Sequence, residues 1–216
     1  MSFIKKLIHA LLAPFHCASC KIMMEHDFPL CEPCRAVIRL LLPTELQITS
    51  TKKMTVFALG AYEGALAQLV RAKQYRSISA AQQLGQLLAD QVQTWNMPID
   101  YVVPVPLHWR RYAWRGYNQA EVMAQVIAQM RKVPVMKSLK RTRYTAYQMT
   151  QSAHGRIQNV LNVFSVGEDA LEKYTGKHMV IVDDLMTTGA TLEAVARALL
   201  PLKPASITAL VGCRVV

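Results

Sequence analysis

The sequence predicts an α/β chain built on a largely parallel sheet, with a small cysteine-bearing module ahead of it. Three observations carry that expectation. Short β-branched runs alternate with segments of helical period from residue 55 onward, the pattern of a sheet covered by helices on both faces. One run ends in two adjacent aspartates followed by a Thr/Gly-rich turn and a new helix. Four of the five cysteines fall between positions 17 and 34. At 216 residues, 52% of them apolar, the chain can bury one sizeable domain plus an appendage.

Taken in order, Ser2–Leu12 reads as an amphipathic first helix of a cytoplasmic protein. Lys5 and Lys6 before Leu7–Phe15 resemble an export signal, but the apolar run is brief, is broken by His9 and Pro14, and lacks a small-residue cleavage site. No stretch approaches the ~20 apolar residues of a membrane span. Cys17-x2-Cys20 and Cys31-x2-Cys34 are two knuckles able to aim four thiolates at one tetrahedral centre, with Pro29 and Pro33 suited to the turns. Protein ligands would fill every coordination position, so the expected metal is a structural zinc. Disulfides are the competing reading, and nothing in the chain indicates an oxidising compartment.

Ala36–Leu42 is apolar and Thr44–Lys53 polar and turn-like, which places a boundary between a module over 1–43 and a domain over 54–216. Thr55–Ala61 reads as a strand, Gly64–Tyr75 and Ser79–Trp95 as helices, and Tyr101–Val105 as a buried strand ending at a loop. Asn118–Met130 returns to helical period, and Val135–Leu139 is a further strand candidate. Lys140–Asn162 has no sustained period and reads as a long loop or hood. His178–Val182 is a strand, Ala190–Leu200 a helix, and Ser206–Cys213 a last strand with Cys213 in the core.

The formal charge is +11, and it is clustered: residues 101–145 hold nine basic side chains against Glu121 alone. Such a region suits phosphates, pyrophosphate or a nucleic-acid backbone, with a solvated basic face as the bland alternative. The chemistry-bearing segment is 179–191, Met-Val-Ile-Val-Asp-Asp-Leu-Met-Thr-Thr-Gly-Ala-Thr. Two adjacent charges are costly to bury, so Asp183 and Asp184 belong at the strand tip, where they can accept hydrogen bonds from a cis-diol. The turn Thr187-Thr188-Gly189-Ala190-Thr191 offers hydroxyls, backbone N–H groups and a helix N-terminus to a phosphate. Together these describe a ribose-5-phosphate site.

The same 13 residues resemble the phosphoribosyl pyrophosphate (PRPP) motif of type I phosphoribosyltransferases at every position. The order of the other motifs narrows the likeness. The cysteine knuckles are followed by Tyr62-Glu-Gly64 with Lys73-Gln-Tyr75, then by Pro104-Val-Pro106 with Arg115-Gly-Tyr-Asn-Gln119. Arg143, Gln148, Arg156, Asn159 and Phe164 complete the series. In this order the chain resembles the ComF family, with Tyr117 where Phe is common and Met149-Thr150 where Leu is frequent. The resemblance implies a type I phosphoribosyltransferase fold with an N-terminal zinc module. It also implies PRPP and Mg²⁺ as ligands and a role in natural competence on cytoplasmic single-stranded DNA, in company with competence-machinery proteins. Asp183 and Asp184 would hold the ribose hydroxyls and Thr187–Thr191 the 5′-phosphate. Arg111, Arg115, Gly116 and Lys73 are candidates for the pyrophosphate, Gly116 because it lets backbone approach closely. Arg141, Arg143 and Tyr147 are candidates for a closing hood or a single-strand platform. The acceptor that would attack C1′ is not specified, so transferase, PRPP-dependent sensor and DNA-uptake factor all remain open.

Overall fold

The computed structural model describes residues 15–24, 30–72, 78–95, 97–107, 109–141, 163–167 and 170–216. The cysteine module contributes β1 (Phe15–His16) and β2 (Met23–Met24), paired antiparallel, and the single-turn α1 (Glu32–Ala36), which begins with Pro33 in its first turn. The main domain follows as β3 (Thr44–Gln47), β4 (Lys53–Ala61), α2 (Gly64–Ala72), α3 (Ile78–Trp95), β5 (Tyr101–Pro104), α4 (Trp109–Arg115) and α5 (Gln119–Arg131). It continues with β6 (Leu139–Arg141), β7 (Phe164–Val166), α6 (Ala170–Tyr174), β8 (His178–Met186), α7 (Ala190–Leu199) and β9 (Ser206–Arg214).

Five strands form the central sheet in the order β3-β4-β9-β8-β5. The last four run parallel, and β3 pairs antiparallel on β4 at one edge. Parallel strands must be covered on both faces, and the apolar residues divide accordingly. Val180, Val182, Leu210 and Leu59 face a layer made by α2, α3 and α5, through Leu66, Leu69, Leu84, Leu88, Met123 and Ile127. Met179, Ile181, Ala209 and Val56 face the opposite layer, where α7 and α6 supply Leu192, Val195, Leu199 and Tyr174. At the starts of β5 and β8 the Asp100 carboxylate accepts the His178 N–H at 2.7 Å, which fixes the parallel register of the two strands. The cysteine module joins the first layer through the buried Cys17 and Leu30, and Ala61 N–H donates to the Arg39 carbonyl at 2.9 Å where the connecting chain crosses β4.

Four local expectations are revised. Thr44–Gln47, read as polar linker, is an edge strand whose intermediate–exposed alternation reflects one covered face. Val135 makes only an isolated bridge to Val102; the strand there is Leu139–Arg141, paired with Phe164–Val166. The segment after Val105, read as a loop, contains α4. β8 runs to Met186 rather than stopping at Val182, so the aspartates sit within it. The expected first helix 2–12 and the stretch 142–162 lie outside the described residues. Among the described residues no helix is long and apolar enough to cross a membrane.

Candidate functional site

The buried run of β8 delivers Asp183 and Asp184 to the carboxyl edge of the sheet, both half-exposed. Their insertion disturbs the strand. Side chains of a regular strand alternate, so Val182 and Leu185 belong on opposite faces. Here both pack into the layer of α2 and α3, while Met186 packs into the other. The alternation therefore slips by one step at the acidic pair, and neighbouring β9 slips with it, since Leu210 and Cys213 share that same layer. Within the slip the Asp184 N–H donates to the Asp183 carboxylate at 2.8 Å.

After Met186 the chain makes a three-residue turn into α7. Gly189 caps the helix with φ of 83°, in the left-handed region that costs a side-chain-bearing residue strain. A Cβ at this position would also lie 2.6 Å from Leu46 Cδ1, so the edge strand β3 buttresses the turn. Thr187, Thr188, Ala190 and Thr191 are exposed around the start of the helix. Thr188 Oγ1 accepts the Ala190 N–H at 3.4 Å, and the first helical bond runs from Glu193 N–H to the Gly189 carbonyl at 2.9 Å. The arrangement is thus an acidic pair and a hydroxyl-lined helix N-terminus separated by two residues on one sheet edge. Its parts suit, respectively, a cis-diol and an anion.

β5 ends beside this point, and Val105 N–H donates to the Val182 carbonyl at 3.0 Å. The chain then turns through Pro106 into α4, whose end is set by Gly116 with φ of 82° and its N–H bonded to Tyr112 at 2.7 Å. A Cβ on Gly116 would meet nothing within 4 Å, so the backbone angle, not crowding, calls for glycine there. Arg111 and Arg115 lie four positions apart on α4; their side chains lie outside the described part of the structure, as do residues Lys73, Arg143 and Tyr147. Arg141 ends β6 with its guanidinium 5.4 Å from the centre of the Phe164 ring.

A residue that sequence reading passed over organises this segment. Asn118 is 8% exposed; its side chain accepts the Ala120 N–H at 3.1 Å as the cap of α5 and donates to the Val105 carbonyl at 3.0 Å. It thereby closes the loop that carries α4 back onto the end of β5. The signal was present, since Asn118-x-x-Glu121 has the spacing of a capping box. Also unanticipated is a cleft of about 610 Å³ between α4 and residues 135–141.

In the N-terminal module the four sulfurs of Cys17, Cys20, Cys31 and Cys34 all lie within 4.8 Å of one another. Tetrahedral zinc with Zn–S bonds of about 2.3 Å separates its sulfurs by about 3.8 Å. The Cys20 and Cys31 sulfurs are 3.6 Å apart, far beyond a disulfide bond and close to that separation. Burial pushes the Cys17 thiol up, but N–H groups of Cys31, Cys20 and Ser19 outweigh it and bring it down to about 6. For Cys31 the Cys34 N–H favours the thiolate, yet burial and the three crowded neighbouring thiols prevail and push it up to about 12. Four thiols this close cannot all ionise alone, and a divalent cation is what the donor set fits.

Residues 112–215 match the model of the phosphoribosyl transferase domain. Curated relatives include Competence protein F of Haemophilus influenzae, 35% identical over 99 residues that make up 45% of this chain and 43% of that protein. DNA utilization protein YhgH of Escherichia coli K12 is 36% identical over 116 residues, 53% of this chain and 49% of that protein. Competence protein ComFC of Bacillus subtilis 168 is 32% identical over 101 residues, 46% of this chain and 38% of that protein. The chain spans about half the length of the first two relatives it matches. Among solved structures, the glutamine PRPP amidotransferase of B. subtilis aligns with a TM-score of 0.44 at 21% identity, over 62% of this chain and 26% of that one. An adenine phosphoribosyltransferase aligns at 0.41 and 14% identity, over 78% and 84%. These two scores are low, and the fold stands on the sheet order and the matched domain. Residues 112–215 thus match a phosphoribosyl transferase domain behind a four-cysteine cluster, and the chain is similar to Competence protein F and to Competence protein ComFC over a little under half of its length.

Proposed function

We propose that the chain is a PRPP-binding protein that serves the cytoplasmic handling of single-stranded DNA during natural competence. The observation that supports it most is the continuous run from the acidic pair, through the Gly189 turn, into α7, which sets a diol acceptor beside an anion site on one sheet edge. In this reading Asp183 and Asp184 hold the ribose hydroxyls, and Thr187–Thr191 hold the 5′-phosphate. In the same reading Arg111, Arg115 and Gly116 are assigned to the pyrophosphate, and Lys73, Arg143 and Tyr147 keep the roles the resemblance implies. Bound Mg²⁺ would neutralise charge on the pyrophosphate and make it a better leaving group. The carboxylates of Asp183 and Asp184 would then stabilise positive charge developing on the ribose, should a nucleophile attack C1′. The DNA role is supported by the names of the relatives and by the basic stretch 101–145. Docking to other competence proteins is part of the same reading. The cysteine cluster is assigned to a structural zinc.

Calorimetric titration of the zinc-loaded protein with PRPP and Mg²⁺ tests the ligand. Saturable binding that is lost in Asp183→Asn/Asp184→Asn supports the assignment; equal binding by the double variant removes these residues from the site. Pyrophosphate release that requires an added acceptor would make the protein a transferase, whereas binding without release would make it a sensor.

A further inference from the structure

α4 is seven residues long and reads Trp-Arg-Arg-Tyr-Ala-Trp-Arg. Its aromatic side chains are turned outward: Trp109 is 66% exposed, Tyr112 49% and Trp114 64%. Three aromatic side chains with much of their surface facing solvent on one two-turn helix are a feature of ligand-binding surfaces. Trp109 and Tyr112 are three positions apart and share one face of the helix, about 4.5 Å apart along its axis. Both line the 610 Å³ cleft, whose lining also includes Lys137, Lys140 and Arg141 with Glu121 as its acidic residue. Arg110, Arg111 and Arg115 interleave with the aromatics along the same helix.

Flat π-faces beside a basic track are the two components of sequence-tolerant single-strand recognition, one for the bases and one for the phosphates. We infer that α4 and the cleft beside it form a single-stranded DNA platform, with bases stacked on Trp109 and Tyr112 and the backbone following Lys137, Lys140 and Arg141. This rests on the DNA-handling part of the proposed function and gives it a location. It keeps Arg141 from the 141–147 segment singled out in the sequence and moves the base-stacking contact from Tyr147 to the helix α4. A duplex keeps its bases paired and stacked, so it offers no free face to the aromatics. A lipid surface could also take aromatic and basic side chains, but a recess walled by Trp109 and Tyr112 fits splayed bases better than a flat membrane.

The test is fluorescence anisotropy of a labelled dT15 oligonucleotide with the full-length, zinc-loaded protein, run beside a 15-base-pair duplex and phosphatidylserine vesicles. Wild type should prefer dT15 to the duplex. Trp109→Ala/Tyr112→Ala should weaken dT15 binding on the order of 10- to 100-fold while leaving the salt dependence unchanged. Trp109→Phe/Tyr112→Phe, which keeps the π-faces, should restore most of the affinity and guards against a folding defect. Lys137→Gln/Lys140→Gln should instead flatten the dependence of log K on log salt, by about 0.7 per lost phosphate contact. Wild-type affinity in the alanine variant would overturn the platform while leaving the DNA-handling reading intact. No dT15 binding by wild type would overturn both. Aromatic dependence confined to vesicles would reassign α4 to a membrane surface.

Discussion

Gly189→Ala is the most informative single change at the candidate phosphate turn, because its cost can be divided into two parts. Gly189 sits at φ of 83°, where a residue with a Cβ loses roughly 1–2 kcal/mol. The added methyl would also lie 2.6 Å from Leu46 Cδ1 and 3.2 Å from Met186 Cε. Both are ends of flexible side chains, so relief requires an off-rotamer shift of Leu46 costing about 0.5–1.5 kcal/mol. The sum is about 1.5–3.5 kcal/mol, which for a chain of this length lowers Tm by roughly 3–14 °C. Urea unfolding and calorimetric melting measure it directly. Adding Leu46→Ala to Gly189→Ala should recover the contact part alone, giving a coupling of about 0.5–1.5 kcal/mol in the double-mutant cycle. Gly189→Asn should cost less than alanine on the backbone side, since Asn tolerates the left-handed region. A Gly189→Ala protein within about 0.5 kcal/mol of wild type, or no coupling to Leu46, would refute the claim that this turn is held by a strained glycine buttressed by β3.

Other expectations follow from the same geometry. Asn118→Ala removes a helix cap and the bond to the Val105 carbonyl together, and should cost about 1–2 kcal/mol in urea unfolding, with Asn118→Asp retaining the cap and losing only the second bond. Chelation should release one zinc per chain and lower Tm, because Cys17 and Leu30 are buried in the same cluster as Leu66 and Leu69; Cys17→Ser should do the same without chelator. Cys213→Ala should leave zinc content unchanged and cost only a modest cavity penalty, since that cysteine is buried in β9 and stands apart from the cluster.

The layered sheet was legible because buried parallel strands and amphipathic helices write different periods into the chain, and both periods are strong here. Val180–Val182 and the α3 residues Leu84, Leu88 and Val92 needed only that reading. The metal-capable cysteines were legible from spacing alone. Three features were not, each for a physical reason. β3 has one covered face and polar ends, so Thr44–Gln47 looks like a linker until β4 supplies its partner. α4 is too short for a helical period to emerge, and its aromatics face water, which inverts the usual signal. The slip at Asp183–Asp184 requires knowing which layer Leu185 and Met186 enter, a tertiary fact that no local pattern encodes.

The proposed function puts the phosphate of a bound ribose-5-phosphate at the turn 187–191. Amide chemical shifts of isotopically labelled protein, followed during titration with PRPP and Mg²⁺, test it residue by residue. The account predicts that the amides of Thr187–Thr191 move and saturate together, that ribose 5-phosphate alone moves the same set, and that inorganic pyrophosphate alone does not. Saturable PRPP binding that leaves those amides in place, or the absence of any PRPP response in the folded, zinc-loaded protein, would contradict it.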